Sequence, residues 1–383
     1  MSKIVLKGIT WGHSRGITPL LAYSQRFSEL NPQVEVSWTK RTLQEFADFP
    51  IEKLTEEYDL LIIDHPWVGC AAATGCVLPL EEYLPAEYLD DQLANSVGFS
   101  HQSYEYGGHQ WALAIDAATP VASYRKDLLE QNGVGVPKTW EEVIRLAEQG
   151  RVAVPAIAID TLMNFYMFCI AHGTVPFASE EEVIDAATGL RALETMRSLY
   201  VLLDKKMFER NPIAVAELMS SGDQFWYCPF AYGYSNYSRV GYAENLLHYD
   251  DLVSFNEVRL RSTVGGTGLA VSATSNNVAL AVKYAAGIVS RKIQSTFYVQ
   301  HGGQPGHRSA WLNKNANLLC NEYFTRVMPA MENGYIRPRY NGYLHFQDHA
   351  GDPLRNFLLN GGTATDVLQE INELYRHSLQ PAI

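Results

Sequence analysis

The segment Asp59-Leu60-Leu61-Ile62-Ile63-Asp64-His65-Pro66 decides the fold class of this chain. Its uninterrupted aliphatic run is typical of a parallel strand that is buried on both faces. Pro66 ends the strand, and polar side chains follow at its carboxyl end. The segment therefore predicts a central strand of an α/β sheet with polar groups at one edge.

The segments before the central strand follow a strand–helix order. Thr18-Pro19 predicts an N-cap and a first helical position, and Asn31-Pro32 predicts the end of that helix. The elements predicted here are a strand at 4–9, a loop at 11–16, a helix at 18–31 and an alternating strand at 34–38. This order is typical of a doubly wound α/β arrangement.

The rest of the chain repeats the same order of elements. Thr139-Trp140-Glu141-Glu142 predicts a capping box that opens a helix. The other predicted elements are strands at 111–114, 121–124 and 152–159, a mostly helical region at 161–222, a glycine-rich strand at 265–271 and a helix from Thr363. No linker separates them, so we predict two α/β lobes that are joined by several chain crossings.

Composition and charge exclude several classes of protein. Among 383 residues, Lys and Arg number 30 and Asp and Glu number 42, so the net charge is −12. An acidic chain repels a phosphate backbone, and no nucleic-acid partner is predicted. Hydrophobic residues make up 47% of the chain, which indicates a packed core, and no apolar run reaches the roughly 20 residues that span a bilayer.

The five cysteines form neither a disulfide framework nor a zinc ribbon, because their number is odd and no C-x-x-C pair occurs. Buried thiols are expected, with a Cys70–Cys76 pair as the alternative. Met1-Ser2-Lys3 leads directly into the first strand without a basic segment, an apolar region or a cleavage site. Either a leader has been removed or the protein never had one, and the sequence does not decide.

A family resemblance rests on a series of short phrases in a fixed order. They are Asn31-Pro32-Gln33-Val34-Glu35-Val36, Tyr58-Asp59, Leu78-Pro79-Leu80-Glu81-Glu82-Tyr83-Leu84, Tyr106-Gly107-Gly108-His109-Gln110-Trp111, Val136-Pro137-Lys138-Thr139-Trp140, Gly265-Gly266 and Gln304-Pro305. Over nearly its whole length the chain resembles extracellular solute-binding protein family 1, the sugar-type substrate-binding proteins of ABC importers that are similar to maltose-binding protein. The resemblance implies a type II periplasmic-binding-protein fold, with two doubly wound α/β lobes joined by a hinge.

The resemblance also implies where the lobes divide. The first lobe would comprise 1–115 and 270–315, and the second 118–265 and 320–383. Hinge crossings would lie near 116–117, 264–269 and 316–319. Such lobes close on a ligand by hinge bending.

Sugar recognition needs aromatic faces for the C–H side of a ring and planar polar groups for its hydroxyls. Ligands of open α/β sheets sit beyond the carboxyl ends of strands. This rule selects His13, Ser14 and Arg15 after the first strand, Arg41 after the second, and Asp64, His65 and Trp67 after the third. The alternatives are a capped loop with a solvated Arg15, surface charge at Arg41, a helix cap at Asp64 and packing at Trp67.

The remaining candidates lie later in the chain. The resemblance implies ligand contacts for Asp116 at a hinge crossing, for a stacking ring at Tyr232 or next at Tyr227, and for the segment around His345. Asn164 is predicted to open a helix, where it would bind ligand or act as an N-cap. Gly266 permits close backbone approach, and Arg308 would contact either the ligand or the other lobe.

No metal or cofactor site is predicted. His345-x3-His349 with Asp348 resembles a metal pair, but no third ligand is evident and the segment is not clearly helical. Gly266-Thr267-Gly268 lacks the third glycine of a dinucleotide fingerprint, and Walker A, G-x-S-x-G and H-E-x-x-H motifs do not occur.

We therefore expect a non-catalytic, monomeric protein that binds a carbohydrate in the cleft between the lobes and delivers it to ABC importer permease subunits. The resemblance implies a periplasmic or extracytoplasmic location. Asp64 and Asp116 favour a neutral polyol, although the arginines allow an acidic ligand. The alternatives are an enzyme that uses Asp64 and Asp116 on a glycoside, and a cytoplasmic sugar sensor.

Overall fold

A computed structural model of the protein describes residues 3–42 and 51–380. The chain divides into two compact units. The first comprises Met1–Ala118, Val264–Thr325 and Arg339–Asn341, and the second comprises Thr119–Thr263, Arg326–Pro338 and Gly342–Ile383. None of the helices in the described residues combines the length and apolarity that crossing a bilayer requires.

The strands of the described residues are β1 Ile4–Trp11, β2 Val34–Arg41, β3 Leu60–Ile63, β4 Glu105–Tyr106, β5 His109–Gln110, β6 Leu113–Ala118, β7 Pro120–Tyr124, β8 Tyr227–Tyr232, β9 His248–Asp250, β10 Ser254–Phe255, β11 Val258–Arg259 and β12 Gly265–Val271.

The α-helices are α1 Ser14–Leu30, α2 Ile51–Glu57, α3 Val68–Thr74, α4 Ala86–Ala94, α5 Lys126–Gln131, α6 Trp140–Glu148, α7 Ala158–Ala171, α8 Ala186–Tyr200, α9 Pro212–Ser221, α10 Val278–Val289, α11 Arg291–Ile293, α12 Arg308–Trp311, α13 Lys314–Leu319, α14 Tyr323–Glu332, α15 Tyr343–Asn360 and α16 Ala364–Ser378. Short 3-10 turns include His65–Trp67 and Gln102–Tyr104, and Gln294–Tyr298 is π-helical.

The first unit is built on a five-stranded sheet of order β2-β1-β3-β12-β6. Strand β1 runs parallel to β2 and β3, whereas β12 runs antiparallel to both β3 and β6. The predicted central strand, Leu60–Ile63, is buried at every position. Apolar residues of α1 and α10 cover the sheet, and Leu20, Phe27 and Ile288 join its core. The parallel strand order places the carboxyl ends of β1, β2 and β3 at one edge.

Helix α1 begins at Ser14, five residues before the first helical position that Thr18-Pro19 predicts, so that prediction is wrong. His13 is the N-cap, and its Nδ1 accepts a hydrogen bond from the Arg15 backbone N–H at 3.0 Å. Pro19 lies in the second turn. The His13 imidazole accepts the capping hydrogen bond that the Thr18 hydroxyl was expected to accept. Histidine is not among the usual N-cap residues, so the sequence pattern does not predict this cap.

The second unit contains the three-stranded antiparallel sheet β8-β7-β9 and a cluster of helices. Helices α7 and α15 approach so closely that a Cβ at Gly351 would lie 2.3 Å from the Ala158 carbonyl oxygen. The predicted cap at Thr139 is confirmed, as a capping box with Glu142. Thr363 is confirmed as the residue from which the C-terminal helix starts.

The predicted strand at 152–159 is wrong. Only Val152 makes a bridge there, to Tyr227, and α7 starts at Ala158. Pro155 cannot donate to a ladder, and a short apolar run does not by itself distinguish a strand from a buried coil. All five cysteines are free thiols, so the Cys70–Cys76 alternative is not observed.

The predicted hinge segments lie inside the first unit or inside its secondary structure. Residues 116–117 and 264–269 belong to the first unit, where they lie largely within β6 and β12, and 316–319 lies within α13. Arg339–Asn341 also belongs to this unit, and a Cβ at Gly69 would clash with the Arg339 carbonyl oxygen at 1.8 Å. A hinge role for 116–117, 264–269 and 316–319 stays a prediction.

Candidate functional site

The carboxyl ends of three parallel strands in the first unit carry predicted ligand contacts. Trp11 and Arg41 are register partners at the ends of β1 and β2. Strand β1 pairs with β2 along one side and with β3 along the other, and Asp64 directly follows the end of β3. The sheet therefore brings the segments selected by the strand-end rule to one edge, which is where open α/β sheets place their ligands.

Arg15 and Asp116 form a buried ion pair in the first unit. The Arg15 Nε donates to Oδ2 of Asp116 at 2.8 Å, and its Nη2 donates to Oδ1. Arg15 is 3% exposed and Asp116 is 1% exposed. Burial raises the pKa of the Asp116 carboxyl, while the charge and hydrogen bonds of Arg15 oppose that rise. The two-point geometry is that of a guanidinium–carboxylate pair.

The backbone around Asp116 is clamped on both sides. A Cβ at Gly266 of β12 would lie 2.2 Å from the Asp116 carbonyl oxygen, and Gly266 has φ of +98°. On the other side, the Gln304 side chain donates to the Ala117 carbonyl oxygen at 2.8 Å. Gly266 thus allows the close backbone approach expected of it. Its contact with a ligand stays a prediction.

His13 is a half-buried cap that is electrically neutral near neutral pH. Burial, with the nearby Arg15 charge, lowers the pKa of His13 to about 4. Its Nδ1 accepts the Arg15 backbone N–H, which fixes the neutral tautomer with a proton on Nε2. Ser14 begins α1 and is also half-buried. His13 therefore caps the helix, and Arg15 is buried and paired instead of solvated. A ligand contact of His13, Ser14 or Arg15 stays a prediction.

Asp64 caps the 3-10 turn that follows β3. Its Oδ1 accepts the His65 backbone N–H at 2.8 Å, and its side chain is 20% exposed. His65 is fully buried and meets the Tyr104 ring edge-on, with centroids 6.4 Å apart. Trp67 is largely buried. The capping alternative for Asp64 is observed, and a cap with partial exposure remains compatible with ligand contact.

Arg41 and Arg308 are two further predicted contacts in the first unit, and the alternative for Arg41 was a surface charge. Arg41 is 9% exposed and its Nη2 donates to the Ile62 carbonyl oxygen at 3.5 Å. The surface-charge alternative for Arg41 is therefore wrong. Arg308 is half-buried and opens α12, where its backbone N–H donates to the Asn95 carbonyl oxygen at 2.6 Å.

The two tyrosines predicted for stacking stand at opposite ends of β8 in the second unit. Tyr232 is half-buried, and its hydroxyl is hydrogen-bonded to the Thr263 hydroxyl at 2.8 Å. Tyr227 is fully buried, and burial raises the pKa of its hydroxyl. Tyr227 is therefore a core residue in this structure, and Tyr232 is the better stacking candidate of the two.

Asn164 does not open a helix, so both that position and its N-cap alternative are wrong. It lies in the second turn of α7, buried, and donates to the Tyr200 hydroxyl at 2.9 Å. One turn earlier lies Asp160, which was not among the predicted contacts. Asp160 is 5% exposed, and burial raises its pKa to about 8. The only sequence signal for Asp160 is its position after an apolar run, a pattern that predicts the end of a strand.

His345 is exposed on the first turn of α15, and His349 lies one turn later. The segment is helical, although its sequence does not clearly predict a helix. The neighbouring rings of Tyr343 and Phe346 are fully buried and pack in the core. Within 3–42 and 51–380, no set of three or more His, Cys, Asp or Glu side chains is arranged to hold a metal.

Solved structures share the fold of this chain. The maltose-bound MalE3 of T. maritima matches with a TM-score of 0.86 and 18% identity, covering 98% of this chain and 100% of that chain. A ribitol complex of an ABC transporter solute-binding protein from Agrobacterium radiobacter K84 matches with a TM-score of 0.83 and 20% identity, covering 98% and 99%. The fold is that of type II solute-binding proteins, as predicted.

The chain belongs to the family of bacterial extracellular solute-binding proteins, whose profile matches residues 17–294. Among curated relatives, the maltotriose-binding protein of Pyrococcus abyssi is 27% identical over 126 residues. That match covers 33% of this chain and 26% of the relative, so it spans about a quarter of the relative's length. The family predicted from the sequence phrases is thereby confirmed.

Proposed function

We propose that this protein binds a neutral carbohydrate or polyol and delivers it, chemically unchanged, to the permease of an ABC importer. Family membership supports a binding role. The relatives and neighbours named for maltotriose, maltose and ribitol support a polyhydroxylated ligand. The protein acts outside the cytoplasm and as a monomer in this proposal.

One observation carries the proposal: the row of side chains at the carboxyl ends of β1, β2 and β3. Trp11 and Arg41 are paired in register there, and Asp64 follows the next strand. Arg41 and Asp64 supply the planar guanidinium and carboxylate groups that bind sugar hydroxyls, whereas Trp11 packs in the core of the first unit. The second unit contributes Tyr232, a half-buried ring that provides the flat apolar face that a sugar requires.

The charge pairing favours a neutral ligand. Arg15 and Asp116 engage each other through two hydrogen bonds in a buried setting. A pair of this kind neutralises both charges, so neither is needed to bind a ligand of opposite charge. Sugars and polyols fit this environment better than sugar acids.

The same pairing disfavours the glycosidase alternative. That mechanism needs two carboxyl groups that flank a scissile bond, one as acid and the other as nucleophile or base. Asp116 is 1% exposed and holds Arg15 with both oxygens, so it is not presented to a substrate in the described structure. We therefore propose no catalytic step.

A thermal-shift screen over monosaccharides, maltodextrins and sugar alcohols tests the proposal. Ligand at 100 times its Kd should raise the free energy of unfolding by about 2.7 kcal/mol. A bound sugar should be recovered unchanged by NMR after prolonged incubation with stoichiometric protein. Stabilisation by sugar acids alone would contradict the neutral-ligand proposal, and turnover of the sugar would contradict the binding role.

A further inference from the structure

The two exposed histidines at the start of α15 form a pair that the proposed sugar-binding function does not use. His345 and His349 are four residues apart, so they lie on one helical face. Their ring centroids are 4.3 Å apart and the rings are tilted by 42°. Both side chains are exposed.

The distance between the rings suits a shared metal ion. Metal–nitrogen bonds to imidazole are roughly 2.0–2.1 Å long, so one ion can join nitrogen atoms up to about 4 Å apart. Rings with centroids 4.3 Å apart bring edge atoms within that span. The helix places the two positions one turn apart, and both rings lie side by side in this structure.

The hydrogen bond of His349 determines which of its ring nitrogens is available to bind a metal. Its Nδ1 lies 2.7 Å from the His345 carbonyl oxygen. A carbonyl oxygen only accepts, so Nδ1 carries the proton and Nε2 of the neutral ring keeps its lone pair. Histidine ligands of metals commonly donate their other N–H to a carbonyl in this way, which orients the ring.

The surroundings favour a cation. Asp352 is exposed on the same helix, three residues after His349 and seven after His345, which places it on the same face. The whole chain carries a net charge of −12. Exposed carboxylates and a negative field raise the local concentration of cations.

From this geometry we propose that His345 and His349 form a two-histidine site for a divalent transition metal. Imidazole ligands suit copper, nickel and zinc, and the general affinity order places Cu²⁺ first. Water completes the coordination shell, since no third protein ligand is positioned for it in the described residues. The proposal is independent of which sugar the protein binds.

Titration of the untagged full-length protein with CuCl2 at pH 7.5, followed by calorimetry, tests the proposal. We expect one site per chain, with Cu²⁺ bound at least tenfold more tightly than Zn²⁺. Either His345→Asn or His349→Asn should weaken Cu²⁺ binding at least tenfold. His377→Asn serves as the matched control, because His377 is also exposed, on the last turns of α16, and should leave binding unchanged.

Electron paramagnetic resonance of the copper-loaded protein supplies a second readout. The wild-type spectrum should show hyperfine splitting from two imidazole nitrogens, and each variant should show one fewer. Equal affinity of wild type and both variants, or an equal loss in His377→Asn, would overturn the proposal. Circular dichroism of each variant establishes that helix α15 remains folded, and sugar-induced thermal shifts measured without metal report the proposed function separately.

Discussion

Each unit of the molecule buries an aspartate, and the two are stabilised in different ways. Asp116 in the first unit is 1% exposed and holds the Arg15 guanidinium with both oxygens. Asp160 in the second unit is 5% exposed, and its Oδ2 has no hydrogen-bond partner. Burial raises the pKa of both carboxyls, but only at Asp116 does a neighbouring cation oppose the rise.

This difference shows how one residue type serves two electrostatic purposes. At Asp116, an ion pair preserves charge inside the protein at the cost of two desolvated groups. At Asp160, the carboxyl avoids that cost by keeping its proton, with a pKa of about 8. The first aspartate should therefore be sensitive to loss of its partner, and the second to pH.

Loss of the Arg15 side chain should have the largest effect on stability. Arg15→Met leaves Asp116 buried without its cation, and breaking such a pair costs about 3–5 kcal/mol of unfolding free energy. Urea denaturation at pH 7 measures this. Arg26→Met is the matched control, because Arg26 pairs with Glu29 with about half of each side chain exposed, and such surface pairs contribute at most about 1 kcal/mol.

The double variant Arg15→Met/Asp116→Leu sharpens the same comparison. Removing both charges should recover most of the stability that Arg15→Met loses, because no charge is then left buried. If Arg15→Met and Arg26→Met destabilise the protein equally, the Arg15–Asp116 pair does not have the importance that its burial indicates.

Asp160 should give the second unit a stability that falls as pH rises. An unfolded aspartate titrates near 3.9, whereas Asp160 in the folded protein has a pKa of about 8. Between these values the folded state keeps a proton that the unfolded state has lost, so higher pH favours unfolding. The expected loss is about 1.36 kcal/mol per pH unit, or about 2.7 kcal/mol between pH 5 and pH 7.

The Asp160→Asn variant should lack this part of the pH dependence and should be more stable than wild type at pH 7. Its unfolding free energy, measured in urea at pH 5, 6 and 7, is compared with that of the wild type. Asp366→Asn provides the control, since Asp366 also occupies a first helical turn but is exposed. A wild-type slope that Asp160→Asn retains would contradict the protonated state of Asp160.

The first unit was largely predictable because its strands are marked by local composition. Leu60–Ile63 is apolar at every position and proved to be buried at every position. The strand-end rule then selected Asp64 and Arg41 without knowledge of tertiary contacts. The Arg15–Asp116 pair was not predictable, because its partners are 101 residues apart in the chain and no local pattern links them.

The second unit was harder to predict because its helices are buried on most sides. Helix α7 is apolar almost throughout, so the pattern of its first residues also fits a buried strand. The sequence therefore predicts a later helix start, at Asn164. Tyr227 and Tyr232 belong to one aromatic stretch, and composition does not reveal which ring is in the core. Only the strand pairing, with Tyr232 opposite Pro120 and Tyr227 opposite Tyr124, separates their environments.

Asp64 differs from both buried aspartates, because its side chain is 20% exposed and caps a 3-10 turn. Asp64→Asn keeps the shape of the cap but removes the charge available to sugar hydroxyls. Since hydrogen bonds to charged groups contribute about 1.5–3 kcal/mol, affinity for the sugar found by thermal shift should fall about tenfold or more. Asp59→Asn, at the other end of β3, should leave affinity unchanged. A lower melting temperature with unchanged affinity would mean that Asp64 only caps.

Substitutions of the two tyrosines of β8 should have the smallest effect on sugar affinity, and they allow two environments within the second unit to be compared. Tyr232 is half-buried, so Tyr232→Ala removes a ring that can stack on a sugar, and an aromatic contact contributes about 0.5–1.5 kcal/mol. Isothermal titration of the folded variant should therefore show an affinity that is roughly two- to twelvefold lower. Tyr232→Phe keeps the ring, loses the hydrogen bond to the Thr263 hydroxyl and should bind nearly as well as wild type. Tyr227→Phe is the buried control and should bind the sugar unchanged, because that ring is fully enclosed. An affinity that Tyr232→Ala leaves intact would remove Tyr232 from the binding residues.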